Sequence, residues 1–316
     1  MIVTEGEYRL LELCAIRSDR QSVDWNLIAR QVQFDGGLDA LWNGVIREKS
    51  AAATRSAQVL RHGIRAPDRL ADKVDSEIET ASQVGARLVT VLDKEYPANL
   101  RLIPNLPPFL FYRGDLREAD ARAVAVVGTR DASADGIRYA RRMSRLLAER
   151  GVTVISGLAR GIDTAAHKAA LECGGRTIAV LGTGITRCYP SENRELAETI
   201  AGAGALVSQF WPTRSPGADT FPRRNVVTSG LSQGTVVIEA SKTSGAKMQA
   251  RFALEHGKKV FLVKSLVTSQ QWARDYVSKR GAIEVTDADE VIRHIAPADR
   301  IRQATRQHQQ IELTLL

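Results

Sequence analysis

The sequence predicts a doubly wound α/β fold, an extended Rossmann-like and mostly parallel sheet preceded by a small helical N-terminal domain. Six short runs rich in β-branched residues recur along the second part of the chain, and helical patterns separate most of them. Both faces of each run are apolar, as in parallel strands covered by helices on either side. The runs are AVAVV (123–127), VTVIS (152–156), TIAVL (177–181), ALVS (205–208), TVVIE (235–239) and KVFLV (259–263).

Three regions precede, contain and follow these runs. Residues 1–85 carry apolar side chains at helical spacings of three and four, and we expect a bundle of short helices there. Residues 86–298 form the predicted Rossmann-like domain, which opens with the strand-like RLVTVLD and a proline-rich connection. Residues 299–316 are a polar tail with an apolar end, IELTLL, for which both fraying and docking on a partner remain open.

Composition favours a polyanionic partner. The formal net charge is +8 and the pI is about 9.6, with arginine far more frequent than lysine. Arginine forms two-pronged hydrogen bonds to phosphates and stacks on bases, although a preference for arginine codons would produce the same bias. The 3 cysteines lack CxxC spacing, which argues against a disulfide framework and a zinc site. Without a signal-like start or a long apolar run, we expect a soluble, cytoplasmic protein.

Residues at the carboxyl ends of the predicted strands are the candidate ligand contacts, since ligands of such sheets bind in that crevice. Glycines there let the main chain approach a ligand, and helix N-termini direct amide hydrogens towards anions. The predicted phosphate contacts after the first three strands are Gly128, Thr129, Arg130, Ser156, Gly157, Arg160, Gly161, Gly182 and Gly184. Ser133 or Asp135 is the expected cap of the helix after the first strand, and Ser191 of a later one.

The stretch SGLARGIDTAAHKAAL (156–171) resembles an active-site sequence but fits an anion cradle better. Asp163 is placed as a helix N-cap, and His167, four residues on, shares its helix face and is within reach of a hydrogen bond. Ser156 lacks the G-x-S-x-G turn that exposes a nucleophile. We therefore expect Asp163 and His167 to orient the loop, with catalysis as the less favoured alternative.

Two later segments contribute basic and aromatic side chains to the predicted binding site. FPRRN (221–225) is predicted to be a connection outside the strands that holds phosphates, with a solvated basic loop as the alternative. Ser244 to Lys247 begins a helix suited to an anion, and Glu239 is expected to orient a loop or to hold Arg224. The predicted contacts here are Arg223, Arg224, Asn225, Ser244, Gly245 and Lys247. The predicted base-stacking rings are Tyr189, Phe210 and Phe221, with a core role as the alternative for Tyr189.

Taken in order, these motifs resemble the DprA/Smf DNA-processing family. The matching segments are GTR (128–130), SGLARGIDTAAHKAAL (156–171), GTGITRCYPSEN (182–193), FPRRN (221–225) and VIEASKTSG (237–245). The chain departs from the family pattern at Gln209 and Val226, in SGAKMQA, and after residue 263. It shows no evident C-terminal winged-helix domain.

The resemblance implies a homodimer that binds single-stranded DNA in a basic pocket. It further implies that the protein protects this DNA and delivers it to a recombinase such as RecA during natural transformation or recombination. A non-enzymatic protein without cofactor or metal is expected. One alternative is a sensor of a nucleotide or nucleotide-derived signal, in a stress or anti-phage pathway. Another is a nucleotide phosphoribohydrolase like the related LOG proteins, whose motif acid is missing from TSGAKMQA.

Overall fold

The computed structural model describes residues 1–18, 21–63, 67–297, 299–301, 303, 304 and 307. Its N-terminal part is helical, as predicted. Helix α1 begins with a capping box, in which Thr4 and Glu7 satisfy each other's main-chain N–H groups. The elements are α1 (Glu5–Ala15), the short hairpin β1 (Arg17–Ser18) and β2 (Gln21–Ser22), α2 (Trp25–Gln31), α3 (Gly37–Trp42), α4 (Ala51–Gly63) and α5 (Pro67–Gln83).

The remaining elements alternate strands with helices. They are β3 (Arg87–Thr90), α6 (Ala98–Arg101), β4 (Phe109–Gly114), β5 (Ala123–Val127), α7 (Ala134–Glu149), β6 (Thr153–Ser156), α8 (Ile162–Glu172), β7 (Thr177–Val180), α9 (Arg194–Ala203), β8 (Ala205–Ser208), α10 (Thr220–Leu231), β9 (Gly234–Val237), α11 (Gly245–Glu255), β10 (Lys259–Val263), α12 (Lys264–Ser269), α13 (Gln271–Arg280), β11 (Ile283–Val285) and α14 (Ala288–Ile292). Short 3₁₀ turns occupy Glu118–Ala121 and Ser191–Asn193.

One sheet of 9 strands contains every strand of the described residues except the N-terminal hairpin, in the order β11-β10-β9-β5-β6-β7-β8-β4-β3. Strands β5 to β8 and β9 to β11 run parallel, while β3 and β4 form an antiparallel edge. Strand β5 has β6 on one side and β9 on the other, so the winding direction reverses at β5. A ligand crevice is expected beyond the carboxyl end of such a strand.

All six predicted runs are strands, and the doubly wound fold is confirmed. Every residue of β5 is buried, because helices cover both faces of the sheet. Strand β11 and the two helices within 264–280 were not predicted from the sequence. It also misplaced one cap: Ser191 opens a 3₁₀ turn, and α9 follows only at Arg194. Ser133 caps α7 by accepting from the Gly136 N–H, as predicted.

The N-terminal helices pack against the antiparallel edge through aromatic rings. The ring centroid of Trp25 lies 5.0 Å from that of Phe109 and 6.2 Å from that of Trp211. The two regions therefore share one apolar core, and the domain boundary at residue 85 stays a prediction. The predicted tail, 299–316, lies largely outside the described residues. None of the described helices has both the length and the apolar composition required to span a bilayer.

Candidate nucleic-acid interface

The turn after β5 is fixed by the neighbouring strand β9. The Thr129 N–H donates to the carbonyl oxygen of Glu239 (2.7 Å). The Glu239 carboxylate accepts from the Ser133 N–H (3.0 Å) and hydroxyl (3.2 Å). Gly128 packs so closely on Ile162 that a Cβ there would overlap its side chain. Glu239 thus orients the loop that presents Arg130; it does not hold Arg224.

The loop after β6 is organised by a carboxylate buried beneath it. Asp163 accepts from the main-chain N–H groups of Gly157 (3.1 Å) and Ala159 (3.4 Å). The prediction that Asp163 caps α8 is wrong, because the helix already begins at Ile162 and Gly161 occupies the cap position with φ +73°. Asp163 lies within the first turn and directs its side chain back to the loop.

Asn193 supports the same loop from another side, and the sequence analysis did not single it out. Its Nδ2 donates to the carbonyl oxygen of Leu158 (2.8 Å) and to the hydroxyl of Thr164 (2.9 Å). Leu158 is buried with φ +61°, a conformation that non-glycine residues rarely adopt. The amide that ends GTGITRCYPSEN was the available signal for this role.

Arg224 lies below the loop rather than in a connection, because FPRRN forms the first turns of α10. The residue is 9% exposed, and its Nη1 donates to the carbonyl oxygen of Val180 (3.2 Å). A Cβ at Gly157 would overlap this guanidinium, so any larger residue there requires Arg224 to move. Burial lowers the pKa of Arg224 and raises that of Asp163, and the two opposite charges partly offset these shifts.

His167 belongs to the same buried set but does not bond Asp163, contrary to the prediction. Its Nδ1 lies 2.7 Å from the hydroxyl oxygen of Thr177, which itself donates to the carbonyl oxygen of Val154 (2.7 Å). The hydroxyl must therefore accept from Nδ1–H, which fixes the neutral tautomer. Burial, reinforced by the charge of Arg224, lowers the pKa of His167 to about 3. We call Asp163, His167 and Arg224 the floor of the site.

Above the floor, cations and rings face solvent. Arg130 is exposed, and its guanidinium carbon lies 5.4 Å from the ring centroid of Phe221. Tyr189, 44% exposed, has its ring centroid 5.7 Å from that of Phe221. Arg160 is also exposed, and its Nε is 3.8 Å from a Glu192 carboxylate oxygen. We call Arg130, Arg160, Tyr189 and Phe221 the rim of the site.

The glycines after β7 shape this rim but are not all open to a ligand. A Cβ at Gly182 would lie 2.7 Å from the Phe221 ring, so the glycine makes room for that ring. The Gly184 N–H already donates to the carbonyl oxygen of Arg214 (2.8 Å). Ser156 is likewise committed, because its buried hydroxyl donates to the carbonyl oxygen of Val126 (2.7 Å). The Gly184 N–H and the Ser156 hydroxyl are therefore engaged in hydrogen bonds within the protein and are not free to bind an anion.

Arg223 is exposed, but its guanidinium lies against rings of the protein interior, and one of these rings is Phe210. The guanidinium carbon of Arg223 lies 5.1 Å from the ring centroid of Trp25 and 5.1 Å from that of Phe210. Phe210 is 2% exposed and offers no face to a base. The prediction that Phe210 stacks on bases is therefore wrong, because this ring belongs to the core that joins α10 to the N-terminal helices.

The start of α11 lies near β9 and carries one cation. Ser244 is its N-cap, and its hydroxyl oxygen accepts from the Ala246 N–H (3.0 Å). Asn225, 9% exposed, donates to the carbonyl oxygen of Gly245 at 3.5 Å and so links α10 to α11. Lys247 Nζ lies 5.8 Å from the ring centroid of Trp272, on the unpredicted helix α13. Only Lys247 of this group presents a charge.

The arrangement suits a chain of phosphates and unstacked bases. Exposed guanidinium groups pair with phosphate oxygens, and exposed rings stack on bases irrespective of sequence. Among the described residues, no group of three or more His, Cys, Asp or Glu side chains could hold a metal ion.

Comparisons of sequence place this geometry among known proteins. The family described as DNA recombination-mediator protein A matches residues 87–296. Protein Smf of Escherichia coli is 35% identical over 297 residues, covering 93% of this chain and 76% of the relative. DNA processing protein DprA of Streptococcus pneumoniae is 37% identical over 204 residues, covering 64% of this chain and 72% of the relative. The chain spans only 47% of protein Smf of Synechocystis, at 42% identity.

Solved structures agree with the sequence comparison. DNA processing protein A of Streptococcus pneumoniae superposes with a TM-score of 0.71 at 29% identity, over 94% of this chain and 99% of the other. DNA processing protein A of Helicobacter pylori, described for its single-stranded DNA binding mode, superposes with a TM-score of 0.59 at 23% identity. That match covers 66% of this chain and 94% of the other, and it supports the fold alone.

Proposed function

The chain belongs to the DNA recombination-mediator protein A family, the DprA/Smf proteins, and from this premise we propose that it binds single-stranded DNA along the rim. The observation that carries the proposal is the stack of Arg130, Phe221 and Tyr189 at the carboxyl end of β5. It combines a guanidinium that forms no ion pair among the described residues with an exposed ring at the switch point of the sheet.

Single strands fit this rim better than a duplex does. Stacking on Tyr189 and on the accessible part of Phe221 requires bases that are free of their partners. Arg130 and Arg160 then pair with the phosphates on either side, with Lys247 as an additional cation near β9. The H. pylori protein, described as binding single-stranded DNA, has the same fold and so is consistent with this proposal.

The floor holds the rim in place in this proposal. Asp163 and Arg224 fix the 157–161 loop from below, so Arg160 and the loop amides reach the ligand without reorganisation. We therefore assign Arg224, Asn225 and Arg223 to positioning rather than to DNA contact. Gly128, Thr129, Gly157, Gly161, Gly182 and Gly245 keep the main chain close to the path of the DNA.

The biological role follows from the family. We propose that the protein acts in the cytoplasm as a homodimer that protects single-stranded DNA and delivers it to a RecA-type recombinase, in transformation or recombination. No catalytic step is assigned, since Ser156 is bonded to Val126 and His167 is buried away from solvent. Faster recombinase filament formation on coated single strands, and a dimer mass in sedimentation, are the expected results.

Fluorescence anisotropy with labelled oligo-dT and a matched duplex, each at several salt concentrations, tests the binding proposal. We expect preference for oligo-dT, with the log–log salt slope falling by about 0.7 for each phosphate contact removed. The variant Arg130→Ala/Arg160→Ala should weaken binding and flatten this slope. The matched control Arg138→Ala/Arg145→Ala removes two exposed arginines of α7, and should change neither by more than a small amount. Flat salt dependence in the wild type would refute the proposal.

A further inference from the structure

A second cavity lies under α9 and beside the antiparallel edge of the sheet, and it shares with the rim the loops that contain Leu158 and Cys188. It has a volume of about 440 Å³, within the ~300–1,000 Å³ that is typical of small-molecule sites. Strands β4 and β8, helix α9, the end of α5 and the segment 185–188 contribute its walls. None of the four rim residues lines it.

Three arginines, Arg113, Arg187 and Arg194, surround the mouth of this cavity against a single carboxylate. Glu198 is that carboxylate, and both its oxygens are bonded to Arg113, at 2.8 and 2.6 Å. Arg187 donates from Nε to the carbonyl oxygen of Thr213 (2.9 Å), which orients its guanidinium. Within the described ranges, neither Arg187 nor Arg194 forms an ion pair, so the mouth carries a net positive charge.

The inner wall of the cavity is apolar. Four aliphatic side chains, each 3% exposed or less, form it, and they are Leu158, Leu181, Ile185 and Leu206. Two exposed arginines, Arg187 and Arg194, and the half-buried Arg113 therefore lie at the entrance, and the buried aliphatic side chains lie behind them. A ligand that fills this space needs an anionic end and a less polar body.

We propose that this cavity binds a phosphate monoester of mononucleotide size, independently of the single-stranded DNA site. The phosphate lies between Arg187 and Arg194, because guanidinium groups bind phosphate oxygens in pairs of parallel hydrogen bonds. The rest of the nucleotide occupies the cavity behind these arginines. Glu198 limits the affinity, since it repels the phosphate and occupies Arg113.

Calorimetric titration of the full chain with AMP, dTMP and inorganic phosphate tests this assignment. We expect both nucleotides to bind more tightly than inorganic phosphate. Arg194→Ala should raise the Kd of each nucleotide at least tenfold. Glu198→Gln should lower the Kd of both nucleotides several-fold, because it removes the competing charge and releases Arg113. Arg145→Ala, which removes an exposed arginine of α7, is the matched control and should leave the affinity unchanged.

Measuring oligo-dT binding in the same variants separates this site from the rim. Saturating AMP should leave oligo-dT bound, and Arg194→Ala should bind oligo-dT as the wild type does. Displacement of AMP by oligo-dT, or AMP binding that is insensitive to Arg194→Ala, would overturn the second site. Equal affinity for AMP and inorganic phosphate would overturn the mononucleotide assignment.

Discussion

The rim and the floor use similar charged side chains in opposite ways. Arg130 on the rim is exposed and rests on a ring, whereas Arg224 on the floor is 9% exposed and bonded to a carbonyl oxygen. A guanidinium in solvent can exchange water for phosphate, but a buried one needs protein partners to offset its desolvation. Proximity to the crevice and access to a ligand are therefore separate properties of an arginine.

Removing the floor carboxylate is the change with the largest expected effect. Asp163→Ala deletes the acceptor of the Gly157 and Ala159 N–H groups and a negative charge that offsets the burial of Arg224. A buried donor left without a partner costs about 1–3 kcal/mol of unfolding free energy, and Arg224 also loses a compensating charge. Urea denaturation followed by circular dichroism measures this cost. The control, Asp135→Ala in the exposed first turn of α7, should change stability by well under ~1 kcal/mol.

The contrast between rim and floor would fail if Asp163→Ala bound oligo-dT poorly while its unfolding free energy stayed unchanged. Asp163 would then act directly at the DNA-binding surface rather than support the loop.

Truncating an aromatic ring of the rim should lower the affinity for DNA and leave the stability of the fold almost unchanged. Tyr189→Ala removes an exposed side chain whose ring lies beside Phe221, and we expect the unfolding free energy to be almost unchanged. Base stacking on one aromatic ring contributes roughly 1–3 kcal/mol, which corresponds to an approximately 5- to 140-fold rise in the Kd for oligo-dT. Anisotropy at fixed salt measures it. Tyr189→Phe retains the ring and should bind as the wild type does; an equal loss in both variants would point to the hydroxyl instead.

A fall in pH should lower the unfolding free energy of the protein because of the buried His167. The pKa of this imidazole is lowered to about 3 in the folded chain, against about 6.5 when unfolded. The unfolded chain therefore binds the proton first, and stability is lost as the pH falls from 6.5 towards 3. At pH 5 the expected loss of unfolding free energy is about 2 kcal/mol.

Urea midpoints between pH 7 and pH 5 measure this loss in the wild type and in His167→Gln. The variant should show a flatter dependence, because its side chain does not titrate. Some slope should remain, since burial and Lys258 lower the pKa of His256 to about 4. Identical pH slopes in both proteins would contradict the role assigned to His167.

How much the sequence could predict depends on whether a property is local. Periodicity predicted the six strands, and strand ends placed Gly128 to Arg130 and the 156–161 loop in the crevice. Burial of Arg224 within FPRRN was not predictable in the same way, because the helical phase of α10 turns this residue under a loop from another strand. Asp163 was correctly expected to orient the loop, but its partners depend on tertiary folding of the loop over the helix start.

Arg223 gives the smallest expected effect and tests the boundary between the two groups. Part of the residue reaches solvent, but its guanidinium lies between Trp25 and Phe210, and burial lowers its pKa. Arg223→Gln should lower the unfolding free energy by about 1 kcal/mol, since it removes two cation–π contacts. The Kd for oligo-dT should stay within about twofold. Arg214→Gln, which breaks an exposed ion pair with Asp219, is the control. A large loss of oligo-dT affinity at unchanged stability would instead place Arg223 on the rim, because only a group that contacts DNA can lower affinity without loosening the core.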